Sequence, residues 1–438
     1  MNNQLLYDTE DAGGIPYQQT EKYEYLDYFC TEGLTDTAAY KTIRFTMRQE
    51  NLLIHWRNAY LEIGGMLCKE DGTGYAQDAK IALIHNAIPH MFKNGKLSIG
   101  NSIVENINEL GYVSSLMHYV LLARSKSDCD GLDFMWAADK SVTNDETNSG
   151  FKKRQNYVIK SPASHGTFKL RIPLHLLFGF FENFVALRGY PVTMELVRAS
   201  DSCCIVRSNP AVKGKLKINR MVLNAPIVDP STVMTLHALK GLKDPKPYLF
   251  SFRRRSGMMV PISPKQHSFS IVLSTSSMVE RPQVVFFGFQ KDMDETQLKN
   301  PALFWHSNLE TSTISVNNVS FPANPIPANW AENDYGFYYL MQMHARENYL
   351  QHPSTFSEGN MINPGNMKSL YPIFVIDISK QDFTIGAKTV TTKLNLRFKE
   401  ETDDNLILHI AYYSERTLEL FTNGERLNIK EHTDSYTS

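Results

Sequence analysis

The chain has 438 residues, of which 42% are hydrophobic and 21% charged, and its formal net charge is −1. A charge this close to neutral excludes a protein whose whole surface is basic enough to coat nucleic acid or an acidic membrane. The length fits two all-β domains of roughly 200 residues each, and the apolar fraction is sufficient for two cores.

The first 36 residues predict an N-terminal arm without structure of its own. Residues 1–36 are polar, contain clustered Tyr, Glu, Asp and Gly, and show no sustained period. Such a segment buries too little apolar surface to fold alone, so we expect it to order only against a neighbouring molecule. Its beginning, MNNQLLYDTEDAGG, has acidic residues and no apolar core, and predicts no secretory signal peptide.

The first domain is predicted to span residues 37–226. Apolar residues alternate with polar ones in several short stretches, which is the pattern of half-buried strands. The predicted strands cover residues 42–48, 53–67 with a bulge near Asn58, 96–104, 168–172, 192–196 and 216–218. Apolar residues at helical spacing predict one amphipathic helix over 110–121. Residues 125–165 are polar and irregular and predict a long loop with an exterior or intersubunit role.

A linker is predicted over residues 227–246, because Pro226 to Pro247 contains four prolines. The second domain, residues 247–431, repeats the alternating pattern and is followed by a C-terminal tail, residues 432–438. Its predicted strands cover 248–253, 268–273, 283–289, 312–316, 372–378, 391–398, 406–412 and 417–421. One amphipathic helix is predicted over 335–351, with a buried face made of Phe337, Leu340, Met341, Ala345 and Tyr349.

The fold class predicted from these patterns is all-β, with two tandem eight-stranded jelly-roll sandwiches and short inserted helices. Eight antiparallel strands in a Greek-key sandwich form a jelly roll, which is common in viral capsid domains. The cysteines show no CxxC pair and indicate reduced thiols in a cytosolic or nuclear compartment; they are residues 30, 68, 129, 203 and 204.

In the first half, a strand is followed by Ile172-Pro173-Leu174, a short helix and GFFEN at 179–183. This order of segments resembles the major capsid proteins of Polinton-like and adintovirus-type double-stranded DNA viruses. This order is more distantly similar to the major capsid proteins of nucleocytoplasmic large DNA viruses. Further similar segments, in family order, are HNAIPHMFKNGKLSIGNSIVENI (85–107), PQVVFFGFQKD (282–292), YPIFVIDISKQ (371–381) and SERTLELFTNGERLNI (414–429).

The resemblance covers about residues 40–430 and implies a double jelly roll that forms homotrimers with a pseudo-hexagonal outline. We expect a virion protein whose trimers tile an icosahedral shell around a double-stranded DNA genome. The implied partners are neighbouring capsomers, penton and minor or cement proteins, and packaged DNA near the inner surface. The alternative is a viral spike or a carbohydrate-binding β-sandwich protein. Whether an internal membrane lies beneath the shell stays open.

The residue types that bind metals are scattered along the sequence. His85 and His90 are five residues apart, whereas a zinc-binding helix favours a spacing of four. His344 and Glu347 share a predicted helix face, but His352 lies beyond two turns. We therefore predict no metal ligands and interpret these histidines as ordinary structural residues.

Motifs for other chemistry are equally incomplete. Gly72 and Gly74 lack the third glycine of a dinucleotide-binding loop and predict a turn. The paired carboxylates at 400–401 and 403–404 lie in a polar loop, which favours solvated turn residues over acid–base catalysis. We predict no catalytic or cofactor-binding residues, no cofactor and no enzymatic activity.

Two further residue groups are candidates for contacts. Arg253, Arg254 and Arg255 form the strongest basic cluster; either it contacts packaged nucleic acid, an acidic tail or a neighbouring subunit, or it is a solvated strand end. The tryptophans are spread along the chain, which favours core or interface anchors over a base-stacking platform; they are residues 56, 136, 305 and 330.

Overall fold

The structure is a computed structural model that describes a defined part of the chain. The described residues are 20–31, 39–47, 53–128, 131–159, 166–182, 186–187, 191–211, 213–230, 248–273, 282–325, 327–350, 361–379, 391–423 and 426–431. None of the helices within these ranges is long and apolar enough to cross a membrane.

The first half extends to the end of strand β12. Its strands and helices in chain order are β1 (Thr20–Phe29), β2 (Thr42–Met47), β3 (Leu53–His55), β4 (Tyr60–Lys69), β5 (Ile81–Leu83), α1 (Ala87–His90), β6 (Phe92–Ile99), β7 (Ser102–Asn108), α2 (Leu110–Leu121), α3 (Ser149–Val158), β8 (Thr167–Pro173), β9 (Ala186–Leu187), β10 (Val192–Arg198), β11 (Ile205–Arg207) and β12 (Gly214–Pro230).

The second half begins at strand β13. Its elements are β13 (Tyr248–Ile262), β14 (Ser268–Val272), β15 (Val284–Lys291), β16 (Leu309–Val316), β17 (Val319–Phe321), α4 (Gly336–Leu350), α5 (Pro364–Ser369), β18 (Phe374–Asp377), β19 (Thr392–Phe398), β20 (Leu406–Asn423) and β21 (Arg426–Glu431).

Each half is built around two antiparallel sheets, and in the first half β5 and β11 pair as an additional two-stranded sheet. In the first half, sheet A has the order β8-β4-β12-β3-β9, with β1 also paired to β12, and sheet B has the order β2-β10-β6-β7. In the second half, sheet C has the order β13-β20-β15-β18, with β21 paired to β20, and sheet D has the order β14-β19-β16-β17. Neighbours in a sheet are far apart in sequence, as in a jelly roll. The predicted fold class is confirmed.

The alternating sequence pattern explains which face of each strand is buried. In β10, Val192, Met194 and Leu196 are buried, whereas Thr193 and Glu195 between them are half-buried. Because successive side chains of a strand point to opposite faces, this pattern sends one face of the sheet into the core. The buried apolar residues of both halves form one continuous core cluster.

The N-terminal arm prediction is wrong for residues 20–29. Thr20–Phe29 form strand β1, which pairs along β12 from Thr20 opposite Pro230 to Phe29 opposite Val222. The segment is polar because it satisfies its backbone on another strand of its own domain and leaves side chains exposed. Residues 1–19 and 432–438 lie outside the described residues.

Some predicted limits of the strands and of the linker differ from those in the structure. The run 53–67 is divided by a 3-10 turn at Trp56–Asn58 into β3 and β4 instead of carrying a bulge. The predicted strand 96–104 is a hairpin of β6 and β7 that turns at Gly100, whose φ is +58°. Strand β12 continues to Pro230, four residues past Pro226, so the linker prediction starts too early. Residues 231–247 lie outside the described part.

Of the two predicted helices, one is confirmed and the other is corrected in part. Helix α2 occupies the predicted residues 110–121. Helix α4 forms where a helix was predicted, and its buried face agrees with the prediction in part. Ala345 is buried and Met341 and Tyr349 pack against the core, as predicted. Leu340 is exposed instead, while Tyr338, Gln342 and Arg346 are buried. Polar groups on the inward face hide part of that face from a hydrophobic pattern.

Candidate functional site at the junction of the two halves

Helix α2 belongs to the first half in sequence but packs against the second half. It contacts strands β13, β15 and β20 and helix α4. Two glycines permit this approach: a Cβ atom on Gly257 would lie 2.1 Å from Val113 Cγ2, and one on Gly288 would lie 3.2 Å from Leu116 Cδ2. The helix therefore joins the two halves by direct side-chain packing.

We expect Gly257→Ala to destabilise the protein, because the new methyl group overlaps Val113 and also lies 2.8 Å from the carbonyl oxygen of Asn108. Overpacking of this kind costs about 1–3 kcal/mol. Gly336→Ala is the matched control, since no atom lies within 4 Å of its Cβ position. Chemical denaturation measures both variants, and equal stability of the two would contradict close packing at Gly257.

A buried carboxylate connects the backbones of the two halves. Glu105 on β7 is 0% exposed. Its Oε1 accepts hydrogen bonds from the amides of Gly179 at 3.2 Å and Arg255 at 2.7 Å, and its Oε2 accepts one from Phe180 at 3.1 Å. Burial raises the pKa of Glu105, and Arg255 and the amide donors oppose that shift. One side chain thus binds amides from both halves.

The Arg255 side chain extends the same contact. From β13 of the second half, it donates to the carbonyl oxygens of Leu176 at 3.0 Å and His175 at 2.8 Å in the first half. It also pairs with Glu182, whose carboxylate accepts a hydrogen bond from Tyr349. Although burial disfavours a charged guanidinium, the Glu182 carboxylate raises the pKa of Arg255. The guanidinium is therefore held charged between the halves.

A second polar cluster is centred on Asp139. Its Oδ1 accepts from Arg154 Nη2 at 2.7 Å and from Asn148 Nδ2 at 2.9 Å, and both ion-pair partners are 0% exposed. Its Oδ2 accepts from Asn300 Nδ2 of the second half at 2.9 Å. The backbone amide of Asp139 donates to the hydroxyl of Tyr371 at 2.8 Å, which is also in the second half.

The Asp139 cluster corrects the prediction for residues 125–165. Instead of an irregular exterior loop, the described part of this segment contains helix α3 and buries Trp136, Phe151 and Arg154. Some of its polar residues, among them Asp139, Asn148 and Arg154, form buried hydrogen bonds, which a hydrophobic pattern cannot distinguish from exposure to water. The segment connects the halves within one protomer.

Four buried histidines lie at helix α2: His118 belongs to the helix, and His85, His90 and His409 pack against it. His85 stacks on Tyr119 at 4.7 Å, and His409 stacks on Tyr112 at 3.8 Å. Neither ring nitrogen of these two histidines has a hydrogen-bond partner among the described protein atoms. His90 Nε2 lies 2.8 Å from Ser115 Oγ, and His118 Nδ1 lies 3.0 Å from Ser114 Oγ.

Burial sets the charge of all four histidines. It lowers the pKa of His90 and of His409 to about 3 and those of His85 and His118 well below their usual value. Each ring is therefore neutral at pH 7. The positive charge of Arg255 lowers the pKa of His118 further, and that of Arg154 lowers the pKa of His85.

We expect acid to destabilise the protein through these histidines. Below the unfolded value of 6.5, the unfolded chain binds protons that the folded chain excludes, so stability is lost as pH falls from 6.5 towards about 3. The loss is roughly 1.4 kcal/mol per pKa unit for each histidine.

His409→Phe tests this expectation, because phenylalanine keeps the stacked ring and cannot be protonated. Thermal unfolding between pH 7 and pH 4.5 should show a smaller decrease in Tm for this variant than for the wild type. His267→Phe changes an exposed histidine and should follow the wild type. A pH dependence of His409→Phe equal to that of the wild type would show that His409 is not responsible.

A cleft of about 260 Å³ opens where the halves meet near the start of α2. Glu109, Tyr112 and Cys203 line it from the first half, and Gln290 and His409 line it from the second. Burial raises the pKa values of Glu109 and Cys203, which disfavours a thiolate nucleophile. The cleft offers hydrogen-bonding groups but no arrangement that activates a nucleophile.

The structure does not bring the predicted metal candidates together. His85 lies in the turn after β5 and His90 ends α1, and both are buried beside α2. His344 on α4 is exposed and Glu347 is half-buried, and His352 lies outside the described residues. Within the described ranges, no group of three or more His, Cys, Asp or Glu side chains is placed to hold a metal ion.

The glycines, paired carboxylates and cysteines considered in the sequence occupy separate places in the structure. Gly72 lies in a turn after β4 with φ +85°. Glu400 and Asp403 are in the loop between β19 and β20, where Asp403 pairs with Lys291 at 3.0 Å. Of the five cysteines, 30, 68, 203 and 204 are free thiols, and 129 is outside the described residues.

The arginine cluster is structural rather than a surface for nucleic acid. Arg254 and Arg255 are buried. The Arg253 guanidinium lies 4.2 Å from the centre of the Tyr349 ring, a cation–π contact. Trp56, Trp136 and Trp330 are core residues, as predicted, and Trp305 is 43% exposed.

Sequence reasoning missed the residues that form the junction. Glu105 and Asp139 are isolated acidic residues, and neither belongs to a motif. Their partners are distant: Arg255 is 150 residues from Glu105, and Asn300 is 161 residues from Asp139. A lone acidic residue in an apolar strand, as in IVENI, was the only available signal.

Two sandwiches in one chain, each with a pair of antiparallel sheets, define the double jelly-roll class of proteins. A family model described as the double jelly roll-like domain matches residues 81–413. The chain therefore belongs to the double jelly roll-like family. No curated protein matches it in sequence.

Solved structures share this fold over nearly the whole chain. PBCV-1 VP54, fitted into a reconstruction of the virophage Sputnik, has a TM-score of 0.54 at 9% identity and covers 95% of this chain and 97% of its own. The Sputnik virophage structure has a TM-score of 0.54 at 10% identity, covering 98% and 92%. The mavirus major capsid protein has a TM-score of 0.52 at 11% identity, covering 97% and 92%. The predicted resemblance to double jelly-roll capsid proteins is confirmed in fold and family.

Proposed function

We propose that this protein is a major capsid protein whose homotrimers tile an icosahedral shell around a double-stranded DNA genome. The observation that carries the proposal is the junction, where Glu105 and Asp139 fix two jelly rolls side by side within one chain. Membership of the double jelly roll-like family supports it. Similar structures include the major capsid proteins of mavirus and Faustovirus.

The shape of the protomer gives a physical reason for a trimer. A closed threefold arrangement of chains that each contain two similar sandwiches presents six sandwiches around its axis. Such a trimer has a pseudo-hexagonal outline and fills a position in a hexagonal lattice. The two halves must keep a constant angle for this outline to be reproduced, which is what the buried junction provides.

The proposed partners follow from this role. The trimer contacts neighbouring trimers, penton proteins at the vertices, and minor or cement proteins, and packaged DNA lies near the inner surface. The protein is located in the virion. Its role is structural, without catalysis or a cofactor.

We expect the purified protein to be a stable trimer, with a mass three times the protomer mass of 50.0 kDa. Obligate interfaces commonly bury upwards of about 2,000 Å² and resist dilution. Light scattering after size-exclusion chromatography measures the mass, and mass photometry measures it at nanomolar concentration. Folded monomers under both conditions would contradict the trimer.

One observation favours the carbohydrate-binding alternative. The exposed ring of Trp305 stacks on His306 at 5.0 Å, which stacks on Trp330 at 4.6 Å, and this in turn on Tyr335 at 4.9 Å. An ordered indole face of this kind is able to stack on a sugar ring.

A glycan array with the wild type and Trp305→Ala distinguishes the two functions. Under the capsid proposal, we expect the two proteins to give the same background signal, because Trp305 then has no sugar to bind. A glycan that binds the wild type and is lost in Trp305→Ala would favour the alternative. Leu340→Ala, which removes another exposed apolar side chain, is the control.

A further inference from the structure

The outer face of sheet A carries a cluster of basic side chains. Lys169 on β8 and Arg220 on β12 both lie opposite Gly64 on β4. Residues that lie opposite one another in an antiparallel sheet point to the same face. By this register, the basic members of the face are Lys169, Arg171, Lys215, Lys217 and Arg220.

Positive charge exceeds negative charge on this face. Glu62 contacts Lys169 at 3.0 Å, Arg171 at 3.1 Å and Arg220 at 3.3 Å. Asp133 adds one further carboxylate, 3.3 Å from Arg171. Lys215 and Lys217 extend the basic surface along β12 and are both exposed.

An exposed aromatic strip adjoins the basic surface. Phe29 and Tyr25 on β1 are 60% and 52% exposed. The Arg220 guanidinium lies 5.9 Å from the centre of the Phe29 ring, and the Tyr25 ring lies 6.4 Å from that of Tyr60. The face is thus aromatic at one end, where Asp27 between the two rings accepts a hydrogen bond from Asn224 Nδ2, and cationic at the other. It fits a partner with the matching order.

The N-terminal sequence has this order. Leu5, Leu6 and Tyr7 are apolar, and they are followed at once by Asp8, Glu10 and Asp11. No lysine or arginine precedes Lys22. An extended peptide with these residues is able to place apolar side chains on the aromatic strip and carboxylates on the basic surface.

The length of chain before Thr20 determines whether the N-terminal segment can occupy this face in its own copy or only in a neighbouring copy. From Thr20, the strand β1 runs about 30 Å to Phe29, and Lys217 lies about 15 Å further along the sheet. If the chain runs from Thr20 back along the sheet and is fully extended, Asp8 lies at most about 43 Å from Thr20 and Asp11 at most about 32 Å from it. Asp11 therefore falls short of Lys217, and Asp8 reaches it only at full extension, which would carry Leu5, Leu6 and Tyr7 past the basic surface and away from Phe29 and Tyr25 in their own copy.

We propose that residues 5–11 of one copy bind the outer face of sheet A in a neighbouring copy. Leu5, Leu6 and Tyr7 contact Phe29 and Tyr25, and the three carboxylates pair with the basic surface. The inference rests on the self-association proposed above. Because sandwiches that stand upright in a shell present their sheet faces sideways, a neighbouring protomer is better placed to occupy this face than packaged DNA.

A labelled peptide of residues 1–14 tests the contact directly. Fluorescence anisotropy should show binding to the full chain at low salt and a loss of affinity of about tenfold or more for Lys215→Glu/Lys217→Glu. Lys393→Glu/Arg397→Glu makes the same charge change on sheet D and should bind as the wild type does. A peptide with Leu5 and Leu6 changed to serine should bind more weakly.

Charge exchange in the full chain tests the contact in assembly. The arm variant Asp8→Lys/Glu10→Lys/Asp11→Lys and the Lys215→Glu/Lys217→Glu variant should each reduce sedimenting assemblies about tenfold while leaving the trimer intact. The combination of both sets in one chain should restore assembly. Recovery of assembly in the combined variant would show that the two sets of charges contact each other. If these residues had only structural roles, the two sets of changes would reduce assembly further when combined.

Each other outcome has a defined meaning. Peptide binding that is unaffected by the Lys215/Lys217 change would overturn the inference, as would normal assembly of both single-set variants. Loss of DNA binding in the lysine variant, with no effect of the arm variant, would assign the face to nucleic acid instead. A wild-type chain that forms no trimers would count against the proposed function, and the peptide measurement would still decide the inference.

Discussion

The contact between the two halves is centred on one buried carboxylate, that of Glu105. It accepts hydrogen bonds from the amides of Gly179 and Phe180 in the first half and of Arg255 in the second. A carboxylate removed from water loses several kcal/mol of solvation unless hydrogen bonds replace the lost water. A small shift between the halves at this point would break one of these bonds and leave charge unsatisfied, so the two backbones are held in position here.

Apolar and polar contacts have different roles at this junction. Helix α2 supplies apolar burial, which contributes stability but tolerates small displacements because it is non-directional. The Glu105 and Asp139 clusters lie at separate places and are directional, since each hydrogen bond needs a short distance and a suitable angle. Two directional contacts at separate points fix the orientation of the two halves, whereas a single contact would still allow the halves to rotate about that point. For a protein whose trimers must match a lattice, a constant orientation is more useful than additional stability.

The sequence predicts the parts of this fold that depend on local pattern. The strands of both halves alternate with a period of two, and α2 has helical spacing, so both were identified. The order of the segments identified the family. Two of the failures come from polar segments that the pattern predicts to be irregular. Strand β1 forms because it pairs with β12, and residues 131–159 are ordered because Asp139 and Arg154 form buried hydrogen bonds inside the protein. Contacts between residues more than 100 positions apart leave no local pattern in one sequence.

The buried histidines make this junction sensitive to acid. Burial keeps the rings of His85, His90, His118 and His409 neutral, because it lowers the pKa of each of them. Once the pH falls below 6.5, the unfolded chain gains protons that the folded chain excludes, so the folded state loses stability. The burial that joins the halves through α2 is therefore also the origin of a pH dependence.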